Sequence, residues 1–284
     1  MRAGRIQGSR LIVLGVDASG LEVARLALGH GDDPTRLLER NGWQVLRVRD
    51  VVGHPVARNM LTVTFVVEPA VAGPLPVATH AMGGQQDQPE RDDELVILQD
   101  EVARQHQRVA AYALVTSSRG FLMTQFSERT NAPGQWGLPG GGLEVGEAPD
   151  AAVAREVWEE SGQLIEGTGL ALITTSHWLG RAPAGQLEDF HAVRVIYRAA
   201  CPEPTEPEVH DVGGTTASAA WLLPADLELL GLTPGWRSIL RELAVEGAGE
   251  AGRSGVVTAP PDETDGSDDH QHDTEADDRA RPRP

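Results

Sequence analysis

Lysine is missing from this chain: all 24 basic residues are arginines, set against 42 acids. The net charge of −18 and a pI near 4.8 leave no basic face for non-specific binding to polyanions, so double-stranded nucleic acid is not an expected partner. Cysteine occurs once, at Cys201, which excludes an intramolecular disulfide and fits a reducing, cytoplasmic setting. Long apolar runs are missing too. Leu11-Ile12-Val13-Leu14 is too short for a signal segment or a membrane span, and Asp17 follows it closely. Aromatic residues make up only 4% of the chain, yet a hydrophobic fraction of 40% over 284 residues suffices for a full-sized domain and a smaller one.

Composition shifts divide what is present. In residues 1–70, "RLIVLGVD", "WQVLRVRDV" and "MLTVTFVVEP" read as strands, while "GLEVARLALGHGDD" is ambiguous between strand and helix. "DPTRLLERNG" reads as a helix with Asp33 as N-cap, Pro34 at N1 and Gly42 past its end. The expectation is a small α/β module. Its "GVDASG" lacks the G-x-G-x-x-G spacing of a dinucleotide site. Residues 71–92, rich in Pro, Gly, Gln and Asp, read as a linker. A main domain follows over 93–245, opening with a hairpin of "RVAAYALVT" and "FLMTQFS" about Ser117-Ser118-Arg119-Gly120. Residues 246–284 carry eleven acids, four arginines and almost no aliphatics, and read as a disordered tail in which His270 and His272 are solvated.

One helix in the main domain raises a problem. "REVWEESGQ" (155–163) packs Glu156, Glu159 and Glu160 into little more than a turn, and like charges at this spacing repel by a few tenths of a kcal/mol. Stepping about 100° per residue from Glu156 puts the three within about 100° of arc. Ala151, Ala154, Val157, Trp158 and Ser161 fall on the opposite side, so the expected helix buries an apolar face and points its acids outward. Pro149 suits N1, Asp150 complements the N-terminal dipole, Gly162 suits C′, and Arg155 offsets part of the repulsion. The preceding loop, "GQWGLPGGGLEVGE" (134–147), is dense in glycine, which is justified where backbone must take unusual φ/ψ or approach something closely. A Gly-rich loop running into clustered carboxylates suits hard cations that also bind phosphate oxygens.

Together these residues resemble the Nudix box, G-x5-E-x7-R-E-U-x-E-E-x-G-U with U a bulky aliphatic. It runs here from Gly141 through Glu147 and "REVWEESG", and departs only at the last position, Gln163, where an aliphatic is expected. Leu164 and Ile165 follow, so the departure reads as a change of packing. The resemblance covers roughly residues 105–240 and implies an α/β/α sandwich with a mixed sheet. It also implies hydrolysis of a nucleoside diphosphate linked to another group, using Mg²⁺ or Mn²⁺ and water attacking phosphorus. By the same resemblance Glu156, Glu159, Glu160 and the carbonyl of Gly140 are metal ligands. Glu147 and Arg155 are the pair that orients them.

Beyond the box the reading stays open. A further acid often found near the strand before a Trp such as that of "AAWLLP" is replaced here by Thr215, Thr216 and Ser218. Glu188, Asp189, His191 and Glu208 are the alternatives for that role, with His191 equally a core or edge histidine. Trp136 and Trp178 are candidates to stack on a base, and Arg181 and Arg194 to contact phosphate. Auxiliary signatures for NADH, coenzyme A or ADP-ribose substrates are not recognisable. The expected partner is a small nucleotide-type molecule, with a homodimer also admitted. The alternative is a Nudix domain without turnover that senses a nucleotide or docks a partner.

Overall fold

Asp33 fixes the first landmark: its side chain accepts from the amides of Thr35 and Arg36 and so starts α1 (Pro34–Arg40). Gly42, at φ 82, then turns the chain back. Four strands surround this helix: β1 (Arg10–Val16), β2 (Glu22–Leu28), β3 (Trp43–Gly53) and β4 (Met60–Pro69). They form one sheet in the order β2-β1-β4-β3, with β1 and β4 parallel. The ambiguous "GLEVARLALGHGDD" supplies β2. Its burial alternates, with Ala24, Leu26 and Leu28 inward and Arg25 outward beside Glu22, the two-residue period of a half-buried strand. The computed structural model describes residues 10–53, 60–70, 89–91, 95–182 and 185–253.

The second sheet is built from β5 (Glu90–Arg91), β6 (Arg104–Ser117), β7 (Gly120–Phe126), β8 (Trp136–Gly137), β9 (Gly140–Gly142), β10 (Glu166–Arg181), β11 (Leu187–Ala200) and β12 (Thr216–Leu222). Its order is β12-β7-β6-β11-β10-β5, with β6 parallel to β11. Strands β6 and β7 pair only next to their turn, at Thr116–Phe121 and Ser117–Gly120. Beyond it they splay, and the Gly-rich loop fills the gap: β8 pairs with β7 and β9 with β6. The sheet itself therefore carries the loop that precedes the acidic helix.

Alternate residues of β11 face opposite cores. Val193, Val195, Tyr197 and Ala199 pack with Ala152, Val153 and Val157 of α2 (Pro149–Ser161), in one cluster with Leu26, Val63 and Phe65 of the first sheet. Ile196 points the other way, to Trp236, Ile239 and Leu243 of α3 (Pro234–Arg253). The result is the expected α/β/α arrangement around a mixed sheet. The first sheet lies on the α2 side and shares its core.

Residues 71–88, most of the stretch read as a linker, lie outside the described residues. Glu90 and Arg91, read as part of that linker, instead form β5 beside Trp178 and Leu179. Helix α3 runs to Arg253, past the point where the tail was expected to begin. Residues 254–284, with His270 and His272, lie outside the described residues. No described helix is long and apolar enough to cross a membrane.

Candidate active site

Two glycines bring the loop against the acidic helix. Gly140 sits at φ 144, and a Cβ there would stand 2.3 Å from the Ala111 carbonyl oxygen. A Cβ on Gly141 would lie 2.5 Å from the Glu156 carboxylate. At Gly140 the clash is with backbone and excludes any other residue type, and at Gly141 a side chain would have to displace the Glu156 carboxylate. With the backbone this close, Gly140 N–H donates to Glu160 Oε2 at 2.9 Å, and the Thr216 hydroxyl donates to Glu160 Oε1.

Arg155 ties the remaining acids together. Its Nε and Nη2 donate to the two oxygens of Glu147 at 2.8 and 2.9 Å, and Nη1 donates to Glu156 and Glu159 at 3.0 Å each. Nη2 also reaches the Gly142 carbonyl at 3.2 Å, so the same guanidinium anchors the loop. Glu147 is set in turn by the Glu144 amide at 2.8 Å.

The expected orientation of α2 is corrected here. Its buried stripe runs over Ala152, Val153, Val157, Glu160 and Ser161, while Ala151, Ala154 and Trp158 are exposed. The acids do not point away from the protein: Glu160 is 6% exposed, and Glu156 is largely covered by the loop. Glycines without side chains and the small Ala152 leave room for carboxylates on the buried side, whereas Trp158 is too large for that slot. It lies on the surface edge-on to His210, ring centroids 4.5 Å apart. A calculation of amphipathicity that ranks residues by polarity cannot see that the acids belong inside.

Burial then shapes the charges. It pushes Glu160 up to about 8, against the hydrogen bonds from Thr216 and Gly140 and with the help of Glu156 and Asp211. It raises Glu156 as well, opposed by Arg155 and reinforced by Glu159. Glu147 is also pushed up by burial, but its bonds from Arg155 and the Glu144 amide outweigh this and hold it below the usual range. The cluster thus contains more carboxylate than its one bonded guanidinium can balance.

The family model for the NUDIX domain matches residues 106–243. This part of the chain is a Nudix domain. The chain is 37% identical over 65 residues to the Nucleoside triphosphatase NudI of Enterobacter sp. (strain 638), a match spanning 22% of this chain and 46% of that protein. To the Nucleoside triphosphatase NudI of Escherichia coli O1:K1 / APEC it is 28% identical over 138 residues, spanning 48% of this chain and 95% of that one. The chain therefore spans less than half of the first relative's length and nearly all of the second's. Among solved structures, a MutT NUDIX hydrolase from Burkholderia pseudomallei is 28% identical and covers 48% of this chain and 98% of its own, with a TM-score of 0.39.

The donor set of this Nudix domain fits a divalent cation. Glu156 and Glu160 are buried acids with raised pKa values, and the cradle in front of Glu156 is kept open by the missing Cβ of Gly141.

The other candidate residues divide. Arg194 donates to the Ser176 hydroxyl at 3.0 Å and lies 6.0 Å over the Trp236 ring, on the α3 side of the sheet. Trp136 packs into that same cluster, half-buried, with its backbone N–H on the Gly231 carbonyl. Tyr112, opposite Gly140 in register and edge-on to Trp236, completes the aromatic group; neither Tyr112 nor Trp236 stood out in the sequence. Arg181 is held elsewhere, in a two-bond pair with Glu101 and on the carbonyls of Val96 and Gly185. Trp178 packs edge-on to Phe190. Glu188 pairs in register with Arg104, and Glu208 is exposed, giving its backbone N–H to Ser161. Asp189 and His191 face the first sheet.

Sequence reading missed two contributors. Asp211 is near enough to raise Glu160, and its backbone N–H bonds the Glu159 carbonyl at 3.0 Å. Arg108 lowers Glu156 and borders Gly142. Only the fold brings the 205–214 loop to the end of α2, so spacing along the chain carried no signal for Asp211.

Proposed function

We propose that this domain hydrolyses a pyrophosphate bond in a nucleotide-type substrate, with Mg²⁺ or Mn²⁺ held by Glu156, Glu159, Glu160 and the Gly140 carbonyl. One observation carries the reading: three glutamates of one helix gather at a backbone loop, Glu160 bonded by the Gly140 amide and Glu156 and Glu159 by Arg155. When bound, the ion would supply Lewis acidity to the phosphoryl oxygens and to the attacking water. The chain's own residues prepare for this. Arg155 and Glu147 fix the rotamers of Glu156 and Glu159, which reduces the ordering needed on binding. Glu160, with its pKa near 8, holds its proton at neutral pH and releases it when positive charge arrives. Glu159, at 36% exposure, is the carboxylate most open to solvent water. Asp211 is a further acid for the same cluster, in place of Glu188, Asp189 or Glu208. On the α3 side, Trp136 and Arg194 offer an aromatic and a cationic surface for the nucleotide.

The test is incubation of the purified protein with Mg²⁺ and a panel of nucleotides. Nucleoside triphosphates come first because two relatives bear that name, followed by nucleoside diphosphates linked to sugars or to a second nucleotide. Turnover is expected for at least one class. Glu159→Gln should lower kcat by about 10³-fold, the equivalent of about 4 kcal/mol of transition-state stabilisation. Tight nucleotide binding with no product from any substrate would instead establish a sensing or docking module.

A further inference from the structure

A second cluster sits between the first sheet and the Nudix domain, away from the residues that bond the box. His30 Nε2 and His177 Nε2 both contact one oxygen of Asp189, Oδ1, at 2.9 and 2.5 Å. The other oxygen, Oδ2, takes a bond from Gln105 at 3.4 Å. The three facing atoms lie within 4.8 Å of one another. His191 packs edge-on against both imidazoles, at centroid distances of 5.5 and 6.0 Å.

The residues come from distant places and are held firmly. His177 and His191 are direct cross-strand partners on β10 and β11, and Asp189 lies two residues before His191 on the same face. His30 comes from the turn "GHGDD" between β2 and α1. There Asp32, fully buried, accepts from the Gly29 amide and from Arg40, and Asp33 caps α1 while accepting from Thr175 of β10. Gly31 sits at φ +81, and a Cβ on it would stand 2.6 Å from the His177 ring. The turn is shaped to bring His30 onto His177.

Hydrogen bonding accounts for only part of this. His191 is 0% exposed, and neither of its ring nitrogens has a hydrogen-bond partner among the described residues. The Asp32 backbone is near enough to favour the charged ring, though its geometry falls short of a bond. Gln107 Nε2, paired in register beside His191, is buried and unpartnered as well. Buried polar groups left unpaired are costly and rare, and the ring nitrogens of His191, set against a His-Asp-His arrangement, point to a missing partner; the Gln107 amide nitrogen is a donor and does not bear on a cation.

We propose that His30, His177 and Asp189 bind a divalent transition-metal ion, Zn²⁺ by its chemistry, beside the buried His191 ring. Two imidazoles and a carboxylate in a partly buried pocket suit a four-coordinate ion of this kind. The cation takes the place of the two protons that otherwise bridge the imidazoles to Asp189. Gln105 on the second Asp189 oxygen orients the carboxylate, as outer partners of metal ligands commonly do. Because His30 belongs to the turn that follows β2 of the first sheet and the others to the Nudix sheet, the ion staples the two together. It is a structural site, separate from the hydrolytic ions.

Full-length protein stripped with a chelator and titrated with Zn²⁺ against a chromophoric competitor tests this. One tight equivalent is expected in the wild type and in Glu159→Gln. In His30→Gln and in Asp189→Asn the affinity should fall at least about 100-fold. Saturating Zn²⁺ should raise the Tm of the wild type by about 5 °C and leave His30→Gln unmoved, with far-UV circular dichroism confirming that both variants fold. No tight equivalent in the wild type would overturn the proposal. So would an equivalent that survives in both cluster variants, or one lost in Glu159→Gln and kept in His30→Gln.

Discussion

Around Arg155, carboxylates converge on one guanidinium; around Asp189, imidazoles converge on one carboxylate. The first group is assembled from one helix and the loop before it, so every member but Arg108, Asp211 and Thr216 lies within a short run of sequence. The second draws on residue 30, residue 177 and residues 189–191, joined only when the first sheet packs on the Nudix sheet. Excess negative charge makes the first a place for hard, exchangeable ions shared with phosphate oxygens. Nitrogen-rich, the second suits a tightly held borderline ion. On these two proposals, chemistry and scaffolding fall to different ligand types.

Removing the single cation from the first cluster is the strongest way to separate the two. Arg155→Ala frees Glu147, Glu156 and Glu159 from their shared anchor and lets the Gly142 end of the loop move. Activity with the best substrate is expected to fall about 10- to 100-fold, mostly through weaker Mg²⁺ binding, as for lost orienting partners generally. High Mg²⁺ should recover part of it, and Zn²⁺ retention should stay at the wild-type level. A loss of Zn²⁺ in this variant would show that the two clusters are not independent.

Titration offers a second separation, because the two regions respond to pH in opposite directions when metal-free. Glu160 rises from 4.5 to about 8 on folding, so its burial favours the fold fully below 4.5 and ceases to do so as the pH climbs through 8. His191 falls from 6.5 to about 4, held neutral by burial and by the neighbouring imidazoles. Its contribution is complete above 6.5 and is lost as the pH drops through 4. In chelator, Tm should decline by about 3 to 6 °C between pH 6.5 and 8. Glu160→Gln should flatten that decline, and Mg²⁺ should reverse it. A decline that persists in Glu160→Gln would place its origin outside the box.

The sequence was informative where function is local. Fixed spacing from Gly141 to Gly162 identified the box, its clustered glutamates and the Arg155–Glu147 pair, because a helix and one loop determine their relation. Three of the four N-terminal strands and the Asp33 cap were equally readable, since alternation and capping act over a few residues, whereas β2 stayed ambiguous. What failed was the rotation of α2. Polarity put the glutamates outside, whereas the shape of the Gly140–Gly142 loop decides what the helix buries. The His-Asp cluster was beyond reach for another reason. His191 could be seen as either a core or a functional residue, but its partner His30 lay in a module with no visible link to it.

Gln163, the one residue out of pattern in the box, gives the smallest and most specific test. It is 1% exposed, and its amide works as a buried clasp. Nε2 donates to the Ser161 carbonyl at 3.0 Å and to the Thr205 hydroxyl at 2.9 Å, while Oε1 accepts from the Thr205 amide at 3.0 Å. The loop so clasped goes on to close α2, through Glu208 N–H on Ser161 and the N–H groups of His210 and Asp211 on Glu159. Gln163→Leu restores the aliphatic expected at this position but strands the Thr205 amide, while the Ser161 carbonyl keeps the Glu208 N–H. Unpaired groups of this kind cost about 1 to 3 kcal/mol, and the newly buried apolar side chain returns part of that. A net loss of about 1 kcal/mol in chemical denaturation is expected, with kcat within about threefold of wild type because the backbone bonds to α2 remain. If activity falls well beyond that, the clasp does more than packing: it sets Asp211 against Glu160, and the odd residue of the box belongs to its chemistry.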